Sequence, residues 1–285
     1  WTTWFTGEVD PQRVAGIAPI IYNNLDMPAQ MALQKSSYGV YSSQIDDYTA
    51  LGLPDLLQTE EGRAFGAMVD PFTYRDRLTM PKLLIHGTND PYWVLDSANI
   101  YWDKLPGPKW VLNQPNIGHG IDFTRFLPAE GAFYLCCAGR QQFPELNWHF
   151  QHDAGSLKLG VITDIAPKRV AQWTATAPTR DFRPSKWESK VLEQAGGQWL
   201  AEVAKPQTGY AALFVEVRDL AEVIAGHVRD AVVPGELFVH ERGLGREHRE
   251  HALVVAHDVV EEELRLLVHR VGDRLIEVGE EERVG

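Results

Sequence analysis

The sequence predicts an α/β domain, followed by an antiparallel β-rich domain and a tail of atypical composition. Up to about residue 140, apolar runs of strand length alternate with helical patterns, which is typical of a parallel sheet. Beyond residue 145, short alternating segments recur about every ten residues, as they do in antiparallel sheets. From residue 219 onward the set of amino acids in use narrows sharply. We therefore expect three parts, at residues 1–140, 145–218 and 219–285.

The first part contains three apolar segments that we expect to form parallel strands, at residues 14–21, 82–86 and 110–113. A helical pattern over residues 1–9 precedes the first strand and ends at an Asp-Pro pair. Residues 22–80 form an insert between the first two strands that is too long for a simple crossover. We expect this insert to be helical and to sit as a cap at the carboxyl ends of the strands.

Three polar residues of the first part precede helical patterns and are predicted helix starts. Asp26 precedes a Met-Pro pair, and Thr59 precedes two glutamates. Asp96 precedes a pattern that we expect to form a helix ending at about Leu105.

The second part, residues 145–218, has the pattern of an antiparallel β-sandwich. Its short segments alternate apolar and polar residues and are separated by Gly, Pro and Asp. The segments are LNWHFQ, SLKLGVITD, RVAQWTATAP, GGQWLAEVA and GYAALFVEV.

The third part, residues 219–285, contains no Lys, Ser, Thr, Asn, Gln, Trp, Tyr, Cys or Met. A GC-rich gene gives such a narrow composition when it is read in the wrong frame, so we expect a solvated extension that is not homologous to the rest. His248, His251, His257 and Asp258 lie close together there and are the alternative candidates for a metal site. Because this repetitive run lacks the ligand spacing and supporting shell of a real site, we expect no metal and no cofactor.

Composition excludes several classes of function. The formal net charge of -12 argues against nucleic acid as a partner, because phosphate binding needs a basic surface. Most of this acidity lies in the tail, which has 16 acidic and 8 basic residues. No apolar run reaches about 18 residues, so we expect no membrane span. Cys136 and Cys137 are adjacent and predict neither a disulfide framework nor a metal site.

The segment with the most chemical content surrounds two predicted strand ends. Asp90 follows the strand at residues 82–86, and His119 follows the next strand, between two glycines of a loop. Catalytic groups in parallel sheets collect at the carboxyl ends of strands. An acid after one strand and a histidine after the next is the order of an α/β-hydrolase triad, in which the carboxylate orients the imidazole. Asp90 and His119 are therefore the candidate catalytic residues, whereas we expect His86, which closes a strand, to be buried and structural.

A triad also needs a nucleophile, and the chain contains no G-x-S-x-G turn. Ser156 lies in the β-rich part and does not match that pattern. In the α/β-hydrolase fold the nucleophile directly precedes a helix, and residues 1–9 have the pattern of that helix. We therefore expect the nucleophile to lie upstream of Trp1. The chain would then be the C-terminal half of an α/β-hydrolase fold, inactive by itself.

Four stretches of the first two parts are characteristic in sequence: WTTWFTGEVDPQRVAGIAPI, MVDPFTYRDRLTMPKLLI, DSANIYWDKLPGPK and WTATAPTRDFR. They resemble stretches of the PhoPQ-activated pathogenicity-related proteins, an α/β-hydrolase-like family, and the resemblance extends to about residue 217. It implies that a Ser-Lys-Arg-Gly segment precedes Trp1 and that its Ser is the nucleophile, with Asp90 and His119 as acid and base. It also implies a β-rich C-terminal domain and export of the whole protein to the periplasm or out of the cell.

Two functions remain open on this basis. The first is a serine-type hydrolase that acts on a small-molecule ester or peptide without a cofactor, with the insert at residues 22–80 forming the roof of the pocket. The insert tyrosines, Tyr22, Tyr38, Tyr41 and Tyr48, suit packing and substrate recognition equally well. The second is a secreted, non-catalytic binding or signalling protein that retains the hydrolase architecture.

Overall fold

The computed structural model describes residues 1–152 and 155–218, together with two short strands in the tail. The described chain has mixed α/β structure. Its helices are α1 (Thr2–Val9), α2 (Met27–Tyr38), α3 (Asp46–Ala50), α4 (Leu53–Leu56), α5 (Glu60–Val69) and α6 (Phe123–Cys137). Its strands are β1 (Lys82–Gly87), β2 (Lys109–Gln114), β3 (Leu146–His152), β4 (Ser156–Thr163), β5 (Arg169–Ala177), β6 (Glu188–Val191), β7 (Gln194–Ala195), β8 (Gln198–Ala204), β9 (Tyr210–Arg218), β10 (Ile224–Ala225) and β11 (Val233–Pro234).

β1 and β2 pair in parallel along their whole length, from Lys82 opposite Lys109 to Gly87 opposite Gln114. Every residue of β1 is buried, and so is every residue of β2 except the first. Strands that are covered on both faces need near-continuous apolar sequence, which is what both segments have. Both predicted strands are confirmed. Because they point the same way, their carboxyl ends lie at one edge of the sheet.

The strand predicted at residues 14–21 is only partly confirmed. The backbone pairs with β1 through two isolated parallel bridges, at Ile17 and Ile20, and forms no continuous strand. Pro19 lies between the two bridges and has no N–H to donate to a ladder. The apolar pattern therefore located the pairing, and the proline limited its extent.

The insert at residues 22–80 is helical, as predicted, and contains α2 to α5. α5 begins after Thr59, whose Oγ1 accepts a backbone N–H of the first turn at 3.1 Å. α2 begins after Asp26, but that side chain does not cap it. The carboxylate of Asp70 instead accepts the Met27 N–H at 2.7 Å. Both predicted helix starts are confirmed, with a tertiary contact replacing the local cap at α2.

The helix predicted from Asp96 to about Leu105 is confirmed only in part. The chain forms two short 3-10 helices there, Ser97–Ile100 and Trp102–Lys104. Asp96 does not cap the first of them, and its Oδ2 lies 2.7 Å from Nη2 of Arg180. The local sequence predicts that the Asp96 carboxylate caps a helix. In the structure this carboxylate instead forms an ion pair with a distant part of the chain.

Two antiparallel sheets follow, and all five predicted segments form strands in them. One sheet has the order β3-β4-β8-β7, and the other has the order β10-β9-β5-β6, with β11 also paired to β9. Leu157 of β4, Trp199 of β8 and Leu213 of β9 belong to one buried cluster, so both sheets contribute to the same core. β6 and β7 were not predicted, because they are short, fully exposed strands with no apolar alternation.

A buried carboxylate connects α6 to the second antiparallel sheet. Glu216 of β9 is 1% exposed. It pairs with Arg125 of α6, and it also accepts hydrogen bonds from its own sheet. These donors are Arg169 at 3.4 Å, Arg218 at 3.0 Å and Trp173 Nε1 at 2.8 Å. Because several charge-assisted hydrogen bonds converge on it, this carboxylate is well paired despite its burial.

The tail at residues 219–285 is described only at β10 and β11, which pair with β9. Its predicted solvated character and the alternative metal candidates His248, His251, His257 and Asp258 lie outside the described residues. Among the residues that are described, no group of three His, Cys, Asp or Glu side chains could hold a metal ion. No helix within residues 1–152 or 155–218 is long and apolar enough to cross a bilayer.

Candidate functional site

Asp90 and His119 meet at the carboxyl edge of the parallel sheet. β1 ends at Gly87 and β2 ends at Gln114, so the loops that follow them lie side by side. His119 Nδ1 is 2.9 Å from Asp90 Oδ2 and 3.1 Å from Asp90 Oδ1. The predicted proximity of the two side chains is therefore observed. Their catalytic role stays a prediction.

Asp90 is the fixed member of this pair and His119 is the accessible one. The Asp90 side chain is 7% exposed, whereas that of His119 is 39% exposed. Burial raises the pKa of Asp90, and the hydrogen bonds that it accepts from the Tyr92 N–H and from His119 lower it. A carboxylate hydrogen-bonded to Nδ1 favours the imidazole tautomer that carries its proton there. The opposite ring nitrogen, Nε2, is then free to accept a proton.

The two loops approach this closely because Gly87 has no side chain. A Cβ at this position would lie 2.1 Å from the Gly118 carbonyl oxygen and 2.5 Å from that of Ile117. A main-chain hydrogen bond crosses the same gap, since the Asn89 N–H donates to Ile117 O at 2.9 Å. The glycine at the end of β1 thus sets the separation between the loop of the acid and the loop of the base.

Two asparagines connect these loops to the β-rich part of the chain, and we call their contacts the asparagine clasp. Asn89 Nδ2 donates to the carbonyl oxygens of Arg183 at 3.0 Å and Ser185 at 2.6 Å. Asn116 Nδ2 donates to Trp187 O at 3.0 Å, and Asn116 Oδ1 accepts the Trp187 N–H at 2.8 Å. Each asparagine is a near neighbour of a candidate catalytic residue. The clasp therefore supports both loops from the same short segment.

Sequence reasoning missed the clasp. The partners of Asn116 lie 71 residues away along the chain and are main-chain groups, so no side-chain pattern marks them. One local signal was present: Asn116 has a φ of 62°, a conformation that asparagine adopts more readily than most residues, and it follows directly after a strand and a proline.

We expect Asn116→Ala to lower the free energy of unfolding by about 2 to 3 kcal/mol and Asn116→Gly to lower it by about 1 to 2 kcal/mol. Both variants lose the two hydrogen bonds to Trp187, but only alanine adds strain at a positive φ. Urea unfolding of the two variants and the unmodified protein measures each contribution. Full stability in Asn116→Gly would contradict a stabilising role for the clasp bonds.

A cavity of about 690 Å³ opens beside the Asp90–His119 pair. His119 and Trp1 both line it, so the start of α1 faces the same space as the candidate base. Most of the remaining lining comes from the insert at residues 22–80. The Tyr92 ring packs against the imidazole, with 4.1 Å between ring centroids and 36° between the ring planes, and it also lines the cavity. The geometry provides an oriented imidazole at the wall of a space that can hold an organic ligand.

The four insert tyrosines divide between packing and cavity lining. Tyr22 and Tyr48 line the cavity. The ring of Tyr38 lies beneath the Arg183 guanidinium, 3.8 Å from its centroid, and the Tyr41 hydroxyl forms a hydrogen bond within the insert at 3.1 Å. Only the first two are therefore placed to contact a ligand.

His86 is buried in β1, as predicted, and 6% exposed. Burial lowers its pKa to about 3, so the imidazole is neutral at physiological pH. Its Nε2 has no hydrogen-bond partner within the described part of the chain. This histidine lies in the interior of the sheet, where it is unsuited to accept protons as a general base.

Comparisons with known proteins place the chain in a family. The family model of the PhoPQ-activated pathogenicity-related protein matches residues 1–183. The chain is 31% identical over 248 residues to autocrine proliferation repressor protein A of Dictyostelium discoideum, covering 77% of this chain and 49% of that protein. It therefore spans about half the length of that curated relative.

Among solved structures, the chain is similar to the Br derivative of BhCBM56, with a TM-score of 0.23 and 8% identity, covering 31% of this chain and 97% of that one. This likeness is too weak to assign a fold. The family match covers well over half of the sequence, and the match to the Dictyostelium relative covers 77% of it. The chain belongs to the PhoPQ-activated pathogenicity-related protein family.

Proposed function

We propose that the whole protein is a serine-type hydrolase of esters or peptides, to which this chain supplies the acid and the base. The observation that carries the proposal is the 2.9 Å contact between Asp90 Oδ2 and His119 Nδ1, beside a cavity lined by both His119 and Trp1. A carboxylate-oriented imidazole is the proton-transfer unit of serine hydrolases. The proposal concerns a whole protein longer than this chain, which spans about half the length of the Dictyostelium relative.

In this mechanism Asp90 holds the Nδ1 proton of His119, which leaves the Nε2 lone pair free. Nε2 takes the serine proton while the serine oxygen bonds to the substrate carbonyl carbon. The Asp90 carboxylate stabilises the imidazolium that forms. Nε2–H then protonates the leaving group as its bond to the carbonyl carbon breaks. Water attacks the acyl-enzyme with the same nitrogen as base, which releases the acid and restores the serine.

We place the nucleophile directly upstream of Trp1. In α/β-hydrolases the nucleophile lies on a strand-to-helix turn, and α1 begins at Thr2. Trp1 is held in position because its Nε1–H donates to Val69 O at 2.7 Å. Family resemblance implies a Ser-Lys-Arg-Gly segment before Trp1. A serine there would be close to the cavity that Trp1 and His119 share.

The architecture belongs to the same proposal. We assign the parallel strands and α1 to the C-terminal half of an α/β-hydrolase fold, with residues 22–80 as its cap. The shared core of the two antiparallel sheets supports a β-sandwich at residues 145–218. The limits of the first domain at residues 1–140 and the non-homologous character of 219–285 remain predictions. The family resemblance supports a periplasmic or secreted protein.

Labelling with a fluorophosphonate tests this function, because the probe reacts with serines that a base has activated. We expect the whole protein, including its upstream segment, to give one labelled peptide that contains the serine of the Ser-Lys-Arg-Gly segment. His119→Ala should abolish the labelling. A folded protein that is unlabelled and inert toward a panel of esters and aminopeptides would overturn the proposal.

A non-catalytic binding or signalling role is the second candidate. The name of the Dictyostelium relative, a proliferation repressor, favours it because repression does not by itself require hydrolysis. Under this hypothesis the cavity binds a ligand without converting it. Absent labelling in a preparation of the whole protein that retains its biological effect would then favour binding over catalysis.

A further inference from the structure

We propose that the cavity selects an uncharged substrate with a bulky apolar acyl group, either an aliphatic chain of medium length or an aromatic ring. This inference rests on the proposed function, because it assigns a substrate class to the Asp90–His119 site. A volume of about 690 Å³ lies within the range of pockets that enclose drug-sized ligands. An acetyl group would leave most of this space unfilled, whereas a longer acyl group would fill it.

The chemistry of the lining excludes charged substrates. Met31, Tyr48, Trp93 and other apolar or aromatic side chains form most of the wall. Among the described residues that line the cavity, none is Asp, Glu, Lys or Arg. A charged group placed there would lose its hydration without gaining a counter-charge, which is costly. Methionine and aromatic side chains instead adapt well to aliphatic chains and rings.

The exposure of α5 indicates where the ligand lies. Met68 is 65% exposed and Phe65 is 41% exposed, and both line the cavity. Ala64 and Ala67 are exposed on the same helix and are not part of the lining. The large apolar side chains of this helix surface thus face the cavity, where a bound acyl group would cover them.

The size of the expected selectivity follows from apolar burial. Each methylene group that moves from water into the cavity should raise kcat/KM about four-fold, until the cavity is full. In a series of p-nitrophenyl esters we therefore expect kcat/KM to rise steeply from acetate through butyrate to octanoate. The charged succinyl monoester should be hydrolysed much more slowly than the butyrate, although the two acyl chains have equal length.

Met68→Glu is the matched test of this selectivity, because it places a charge in the cavity wall at an already exposed position. We expect it to lower the ratio of kcat/KM for the octanoate to kcat/KM for the acetate at least about ten-fold. Ala67→Glu adds the same charge to the neighbouring, non-lining position and should leave both values unchanged. Binding of the neutral dye N-phenyl-1-naphthylamine gives a readout that needs no catalysis, and only Met68→Glu should weaken it.

The outcomes separate this inference from the proposed function. Turnover with no dependence on acyl length, or fastest for the succinyl ester, would overturn the inference and leave the hydrolase proposal intact. Equal dye affinity in the two glutamate variants would also overturn it. Dye binding that only Met68→Glu weakens, in a protein with no turnover, would sustain the apolar selectivity of the cavity and reject the hydrolase.

Discussion

His119→Ala should lower kcat/KM for an ester substrate of the whole protein by about 10³- to 10⁶-fold. The loss is large because serine attack, leaving-group departure and deacylation all use the same ring nitrogen. The free energy of unfolding should fall by no more than about 1 to 3 kcal/mol, because the buried Asp90 carboxylate loses one of its hydrogen bonds. Steady-state kinetics and urea unfolding on the same preparations measure the two effects separately.

His149→Gln is the control for this prediction, because it changes a histidine of β3 in the β-rich part of the chain. It should leave kcat/KM within about two-fold of the unmodified value, as expected of a substitution away from functional features. Turnover that survives in His119→Ala at the rate of the control would mean that another group supplies the base, and the proposed mechanism would be wrong.

Glu216→Ala should lower the free energy of unfolding by about 3 to 5 kcal/mol. The carboxylate is 1% exposed, and its removal leaves three arginines and the Trp173 N–H without their shared acceptor. The contact with Arg125 also connects α6 to β9, so its loss loosens the junction between the two parts of the chain.

Glu202→Ala is the matched control for this stability prediction. Glu202 forms a salt bridge with Lys158 at 3.6 Å, but its side chain is 52% exposed. Surface ion pairs contribute little, so we expect a loss below about 1 kcal/mol. Urea unfolding compares the two variants directly. If Glu216→Ala were no less stable than this control, the buried Glu216 cluster would stabilise the fold no more than an exposed ion pair does.

Much of the local structure could be predicted because it depends on short-range patterns. The buried runs in β1 and β2, the cap residue Thr59 and the alternating segments of the antiparallel sheets are all visible within about ten residues of sequence. The errors arose where distant contacts decided the outcome. The helix expected after Asp96 is two short 3-10 helices, and the Asp96 carboxylate pairs with Arg180 instead of capping the first of them. At residues 14–21 the limit was local: Pro19 interrupts the pairing that the apolar pattern predicted.

The candidate site shows the same division. Asp90 and His119 could be named in advance because parallel strands bring their carboxyl ends together, and an acid and a histidine follow neighbouring strands. The insert could be predicted as the roof of a pocket, but the side chains that line the cavity could not, because its walls combine α1, the insert and the strand-end loops. Glu216 carried no local signal either, since its three arginines come from α6, β5 and β9.

The asparagine clasp has a consequence for how this protein can vary. Its acceptors at Arg183 and Ser185 are carbonyl oxygens, and at Trp187 it uses both main-chain groups, so these contacts depend on the path of the backbone. Ser185 could be replaced without loss of its acceptor, whereas a one-residue deletion in the segment would move all the contacts at once. Relatives could therefore differ widely in the residue types of this segment and still hold Asp90 and His119 in place. Spacing, more than residue identity, is the property that this segment must keep.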